Sequence, residues 1–215
     1  MALRVNEIFH SIQGESTFAG QPCVFVRLTG CNLRCSYCDT VYAYEEGSFM
    51  DIDEIAEKVK GFGCSLVEVT GGEPLIQDET PGLITKLLEP GYTVLLETNG
   101  SRDISVVDPR CLKVMDVKCP SSGEEKNNDL ENLNRLNTGD EIKFVIADRD
   151  DYDFAVNILT FLPGRKKDEV TVNFSPCFSK LNPDKLAAWI LNDKLNVRLN
   201  LQLHKYVWSP DRRGV

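Results

Sequence analysis

Strand-forming and helix-forming segments alternate about six times along this chain, and that alternation limits its possible folds more than any other feature. Pro22–Leu28 is rich in β-branched and aromatic residues and predicts a strand. Asp51–Lys60 places Ile52, Ile55, Ala56 and Val59 at helical spacing, with Gly61 or Gly63 as the stop. Further strands are predicted at Ser65–Val69, Tyr92–Leu96, Leu112–Val117, Ile142–Ile146, Val170–Phe174 and Val197–Leu201, and helices at Thr80–Leu88, Asp129–Leu136, Tyr152–Phe161 and Lys185–Leu191. The strands read as continuous apolar runs, which parallel strands covered on both faces require. With 215 residues the chain falls short of the roughly 250 of a full eight-fold barrel. The fold class is therefore α/β, a partial barrel or an open sheet, in a single domain over residues 1–215. Asn6–Gly20, Cys31–Met50 and Tyr206–Val215 do not fit the alternation.

Charge and hydropathy narrow the function. The sequence carries a net charge of −9, which repels a polyanion at long range and argues against a nucleic-acid partner. Apolar runs such as Cys23–Leu28 are much shorter than the roughly 20 residues of a membrane helix. Met1–Glu7 turns polar before an apolar core can form, unlike a secretory signal, so a cytoplasmic location is expected.

The eight cysteines are informative through their clustering. Gly30-Cys31-Asn32-Leu33-Arg34-Cys35-Ser36-Tyr37-Cys38-Asp39 puts three thiols directly after the first strand. Three thiolates can hold three irons of a four-iron, four-sulfur cluster and leave the fourth iron open. A structural zinc site is the alternative, although it wants four ligands, commonly as two separated pairs. Cys23, Cys64, Cys111, Cys119 and Cys177 stand singly and read as small buried hydrophobes.

Ligands of parallel α/β folds sit at the carboxyl ends of the strands. Those ends here are Thr70-Gly71-Gly72-Glu73-Pro74, Glu97-Thr98-Asn99-Gly100, Asp116-Val117-Lys118, Ser175-Pro176 and Gln202-Leu203-His204-Lys205. Each alone is also an ordinary turn. Together with the cysteine loop they point to one site, and the paired glycines allow close backbone approach to a ligand.

The CxxxCxxC spacing with an aromatic, Tyr37, before the last Cys resembles the radical S-adenosylmethionine (SAM) superfamily, and Gly71-Gly72-Glu73-Pro74 matches its second hallmark. The resemblance implies a partial (β/α)6 TIM-like barrel with modified N-terminal and cluster-loop segments. It also implies a [4Fe-4S] cluster on Cys31, Cys35 and Cys38 whose open iron chelates SAM. By the same resemblance Gly72 and Glu73 meet the methionine end of SAM, while Tyr37, Cys38, Asp39, Asp116, Val117, Lys118, Lys143, Phe144, Val145 and Ile146 line its pocket.

Phe9–Ser16, Phe25–Cys35, Cys38-Asp39-Thr40, Thr70–Pro74 and Gln202–Lys205 form one set that resembles the 7-carboxy-7-deazaguanine synthase family from about residue 5 to the end of the chain. That family contracts 6-carboxy-5,6,7,8-tetrahydropterin to 7-carboxy-7-deazaguanine with loss of ammonia, on the way to queuosine and related deazapurines. A pterin edge suits the backbone groups of Ile12, Gln13 and Gly14 with Glu15 nearby. Arg27 supplies a planar fork for the substrate carboxylate. The resemblance further places Thr70, His204 and Pro210 on the substrate and magnesium on the Thr40 hydroxyl. Five residues, Asp211-Arg212-Arg213-Gly214-Val215, follow Pro210, which puts a role for a chain-terminal Pro210 in doubt. A flavodoxin or ferredoxin-type reductant and a homodimer are implied as partners. A glycyl-radical activating enzyme shares the cysteine motif, and a closed iron–sulfur or zinc module would need neither Gly71 nor Gly72.

Overall fold

The computed structural model describes residues 1–166, 168–210 and 212–215. Asp211, within the stretch after Pro210, lies outside the described residues. Nine strands form one sheet in the order β3-β1-β2-β4-β5-β6-β7-β8-β9. They are β1 (Ala2–Ile12), β2 (Pro22–Leu28), β3 (Ser48–Asp51), β4 (Leu66–Gly71), β5 (Thr93–Thr98), β6 (Leu112–Asp116), β7 (Glu141–Ile146), β8 (Thr171–Pro176) and β9 (Arg198–Leu199). From β2 onward, leaving out β3, each neighbouring pair is parallel; β1 runs antiparallel to both β2 and β3. The result is the partial TIM-like barrel, left open between its first and last strands.

Helices α1 (Ile52–Gly61), α2 (Thr80–Leu88), α4 (Arg149–Phe161) and α5 (Pro183–Asn192) cover the outer face. In α1, Ile52, Ile55 and Val59 form the buried stripe, with acids in the first turn and lysines in the last, as the helix dipole favours. Asp148 caps α4 by accepting from the Asp151 amide at 3.0 Å. The helix expected over Asp129–Leu136 is reduced to α3 (Asn132–Arg135), and the β5–β6 crossover carries only a 3₁₀ turn at Ile104–Val106.

Two strands went unread in the sequence. A register shift between Val5 and Glu7 breaks the two-residue alternation of β1, so its apolar face changes side mid-strand. Val5 then packs in the outer core and Phe9 in the barrel interior. β3 is a four-residue edge strand, too short to show a period.

Two apolar layers lie between sheet and helices, one around β2, β4, α1 and α2, the other around β7, β8, α4 and α5. A third, small cluster of Cys23, Phe25, Leu66 and Leu95, with Phe9 stacked on Phe25 at 5.0 Å, floors the barrel interior. Two residues further along each strand the same inner face turns polar, with Arg27, Glu68 and Glu97 above that floor. The strands expected as continuous apolar runs are thus apolar on the outside and polar inside toward their carboxyl ends.

Candidate active site

A cavity of about 760 Å³ opens above the floor, at the carboxyl ends of the strands. The inward pleat of β7 aims Lys143 and Val145 into it, whereas Phe144 and Ile146 turn outward into the apolar layer. Val117 also packs in that outer layer, so these three residues, expected along the SAM pocket, do not line the cavity.

Lys143 is the hub of the interior. Its ammonium lies 3.0 Å from Glu15 Oε2 and 3.9 Å from Asp116 Oδ2, and it donates to Glu97 Oε1. Thr70 Oγ1 donates to Glu97 Oε2 at 3.2 Å, and Gln13 Nε2 donates to Glu68. Burial pushes the Glu68 carboxyl well above its ordinary range, and nearby Glu97 adds to that shift. Burial also pushes on Glu97, but the Lys143 ammonium outweighs it and holds this carboxyl below the ordinary value. One interior acid is thereby held ionised while its neighbour favours the neutral form.

Arg27 lies at the same level, with Glu7 Oε1 accepting from its Nε at 2.8 Å. Tyr42 Oη donates to the same Glu7 oxygen at 3.0 Å. Among the described residues the Nη nitrogens of Arg27 make no hydrogen bond, leaving the open end of the guanidinium fork for an anion.

The C-terminal segment closes the opposite side. Leu203 N donates to Gly14 O at 2.8 Å, and the His204 ring lies where a Cβ on Gly14 would stand. Burial lowers the His204 pKa, favouring the neutral ring. Gln202 Nε2 donates to Glu15 Oε1 at 2.9 Å, and Lys205 pairs with Asp39 Oδ2 at 2.6 Å. Burial opposes ionisation of Asp39, but Lys205 holds its carboxyl at about 2. Ile12, Gly14, Pro210, Arg212, Arg213, Gly214 and Val215 also line the cavity.

The three loop thiols, Cys31, Cys35 and Cys38, face the cavity as free cysteines. Cys31 Sγ accepts from Leu33 N at 3.4 Å and Asn99 Nδ2 at 3.9 Å, donors that favour a thiolate. Burial raises the thiol pKa of Cys31 and takes Cys35 to about 11, so a bound cation would have to displace their protons. Among the described residues no three His, Cys, Asp or Glu side chains converge as ligands of one metal ion. Three thiols on one loop suit a cluster in which each thiolate takes a different iron, whereas a structural zinc ion wants four ligands.

Two buried polar atoms at the same wall lack a partner, Tyr37 Oη and Asp116 Oδ1, while Lys118 holds the other Asp116 oxygen at 2.7 Å. Orphaned groups of this kind fit a polar ligand beside the cysteine loop. Gly72 lines the cavity and packs so closely on the loop that a Cβ would strike Gly30 O and come within 2.7 Å of Cys31 Cβ. Glu73 departs from expectation. Its carboxylate is fully buried away from the cavity and accepts from Leu75 N, Thr98 Oγ1 and Asn99 N at 3.0, 2.8 and 2.6 Å. It braces the β5 end that carries Asn99 and makes no wall for SAM. Thr40 lines the cavity with its hydroxyl donating to Asp39 Oδ1 at 2.9 Å, an oxygen pair of the kind a hard cation takes.

Glu7, Tyr42 and Glu68 were not singled out in the sequence, and Glu97 entered only as part of a strand end, with no role of its own. For Glu68 the signal was present, since Glu68 and Thr70 alternate with Val67 and Val69 at the two-residue period of a strand with one polar face.

Residues 25–116 match the model of the Radical SAM superfamily. The 7-carboxy-7-deazaguanine synthase of Koribacter versatilis is 46% identical, covering 99% of this chain and 100% of its own. That of Chlorobaculum tepidum is 48% identical, covering 99% and 97%. The crystal structure of QueE from Escherichia coli superposes with a TM-score of 0.80 at 25% identity, covering 95% of both chains. Streptococcus suis SuiB bound to S-adenosylmethionine shares the fold at a TM-score of 0.57 and 13% identity, covering 80% of this chain and 48% of SuiB.

Proposed function

The chain belongs to the 7-carboxy-7-deazaguanine synthase family of the radical SAM superfamily, and we infer from that membership what the cavity does. It converts 6-carboxy-5,6,7,8-tetrahydropterin to 7-carboxy-7-deazaguanine with loss of ammonia, a step of queuosine biosynthesis. The reaction uses a [4Fe-4S] cluster, SAM and magnesium. The observation that carries the substrate reading is the half-paired Arg27 fork in the same cavity as the three-thiol loop.

When bound, the cluster and SAM supply a radical able to abstract hydrogen from the substrate. Cys31, Cys35 and Cys38 would hold the cluster, with Asn99 and the Leu33 amide donating toward Cys31. Tyr37, Asp116 and Gly72 would border SAM, the first two offering the unpaired oxygens a polar ligand needs. Arg27 would take the pterin carboxylate, since it lines the cavity and Glu7 engages its Nε while both Nη groups stay without a hydrogen-bond partner among the described residues. Ile12, Gln13, Gly14 and Glu15 would meet the donor and acceptor edge of the pterin, with Thr70 and His204 beside it. Thr40 would contribute an oxygen to magnesium. Pro210 borders the cavity together with Arg212, Arg213, Gly214 and Val215, and the substrate contact expected at Pro210 would be shared with these four residues.

By family resemblance the reductant is of flavodoxin or ferredoxin type, the assembly a homodimer and the location cytoplasmic. Within the chain, no helix is long and apolar enough to cross a membrane among the described residues. Anaerobic incubation of the reconstituted protein with SAM, reductant, magnesium and 6-carboxytetrahydropterin tests the reading. The deazaguanine and 5′-deoxyadenosine are expected together. Deoxyadenosine without the deazaguanine would keep the superfamily and overturn the substrate.

A further inference from the structure

The Gln13–Gly20 loop must hold its shape without being part of the sheet. Its base is closed by Gln13 N donating to Gln21 O and Gly20 N donating to Gln13 O, both at 2.8 Å. Its tip is fixed from across the barrel. Glu141, buried at 2% exposure in β7, receives Thr17 N at 3.0 and 3.2 Å on its two oxygens and Thr17 Oγ1 at 2.5 Å. Asn173 Nδ2 in β8 donates to the same carboxylate at 2.6 Å. Arg198 donates to the Ser16 carbonyl and lies 3.4 Å from Asn173 Oδ1. Ser16 itself is held at φ 61°, a left-handed conformation that a serine rarely adopts unless its surroundings enforce it.

The spacing is the telling feature. Glu141 and Lys143 are two apart on the inner face of β7, and the residues they hold, Thr17 and Glu15, are two apart in the loop. One face of one strand therefore sets both the height and the register of the loop. Glu141 does not line the cavity, so any effect it has on a ligand must pass through Thr17 and Ser16.

We propose that Glu141 is a positioning residue for substrate recognition, clamping Thr17 to β7 so that Gln13, Gly14 and Glu15 are preset for the pterin edge. The proposal rests on the synthase reading. Glu141→Gln keeps the side-chain shape but puts an NH2 where Asn173 Nδ2 also donates, and the arrangement is frustrated. Glu141→Gln with Asn173→Asp reverses that one bond: the new amide oxygen still accepts from Thr17, its NH2 donates to the carboxylate introduced at position 173, and Arg198 faces that carboxylate.

The test is made on the reconstituted holoenzyme, alongside amide hydrogen exchange on the protein before reconstitution. Glu141→Gln should raise the KM for 6-carboxytetrahydropterin about tenfold or more, with SAM affinity unchanged and 5′-deoxyadenosine released without matching product. Exchange should speed up at residues 13–20 and stay slow in β4 and β5. The double variant should return the KM to within about threefold of the wild type, because the two changes couple through one hydrogen bond. Thr17→Val, which removes only the hydroxyl contact, should move the KM in the same direction, and it decides the matter if Glu141→Gln fails to fold. Wild-type turnover with a KM unmoved in the folded variants, or a double variant no better than the single one, overturns the proposal and leaves the synthase reading standing. A wild-type protein that cannot convert the pterin overturns the reading itself, and the proposal with it.

Discussion

Replacing Lys143 by Met removes the one cation that, among the described residues, touches Glu15 and Glu97 together, while keeping most of the length and apolar volume of the side chain. Breaking a buried ion pair by deleting one partner costs about 3–5 kcal/mol, because the other charge is left uncompensated. For a chain of this size each kcal/mol moves the melting temperature by about 2–4 °C, which gives a fall of about 6–20 °C. The pH dependence sharpens the test. In the wild type Lys143 holds the Glu97 pKa below its unfolded value, so the stability this contributes is full above that value and lost as pH falls through the lowered one. In Lys143→Met burial acts unopposed and lifts the Glu97 pKa above its unfolded value. The variant then loses stability as pH rises through that window and regains it on acidification. Thermal melts of the iron-free protein from about pH 8 to about pH 5 should show the gap to wild type narrowing toward acid. Lys143→Met with Glu97→Gln should recover part of the loss at neutral pH. A fall under about 3 °C at neutral pH, or a gap that widens on acidification, would refute the hub assigned to Lys143.

Three further outcomes follow from particular contacts. Gly72→Ala, whose Cβ would strike Gly30 O, should lower iron and sulfide loading on reconstitution; loading equal to wild type would show that the cysteine loop does not depend on this close approach. Glu73→Gln faces an NH2 toward the Asn99 amide and should cost about 1–3 kcal/mol, read as a lower melting temperature of the metal-free protein, with SAM affinity little changed. Burial lowers the His204 pKa below the ordinary 6.5, so the stability carried by its neutral ring is full above that value and lost as pH falls through the lowered one; His204→Gln should flatten this acid limb in pH-dependent melts, and an unchanged limb would assign it to another group.

Much of this was legible in the sequence because it rests on local signals. Pro22–Leu28 and Thr80–Leu88 form the strand and helix their patterns predict, residue for residue. The three-cysteine loop and the glycine pair lie on one wall of the cavity, as their places at strand ends implied. β1 was hidden because its bulge breaks the alternation on which strands are recognised. The pairing of the inner charges was hidden for a different reason. Glu97 and Lys143 look isolated in sequence, and only the parallel register of β5, β6 and β7 brings them together. Glu73 misled because a motif fixes a backbone path without fixing where a side chain points; here it turns under the strand ends to cap them.

The most direct test of the account compares turnover of 6-carboxytetrahydropterin with that of the same pterin lacking the carboxylate, in the wild type and in Arg27→Gln. If the open Arg27 fork receives the carboxylate, the wild type contracts the ring of the first compound and leaves the second largely unconverted. Arg27→Gln should then lose about 1.5–3 kcal/mol of substrate recognition, roughly tenfold to over a hundredfold in kcat/KM, while still binding the cluster and SAM. Undiminished kcat/KM in Arg27→Gln, or no deazaguanine from a fully loaded wild-type protein, would contradict it.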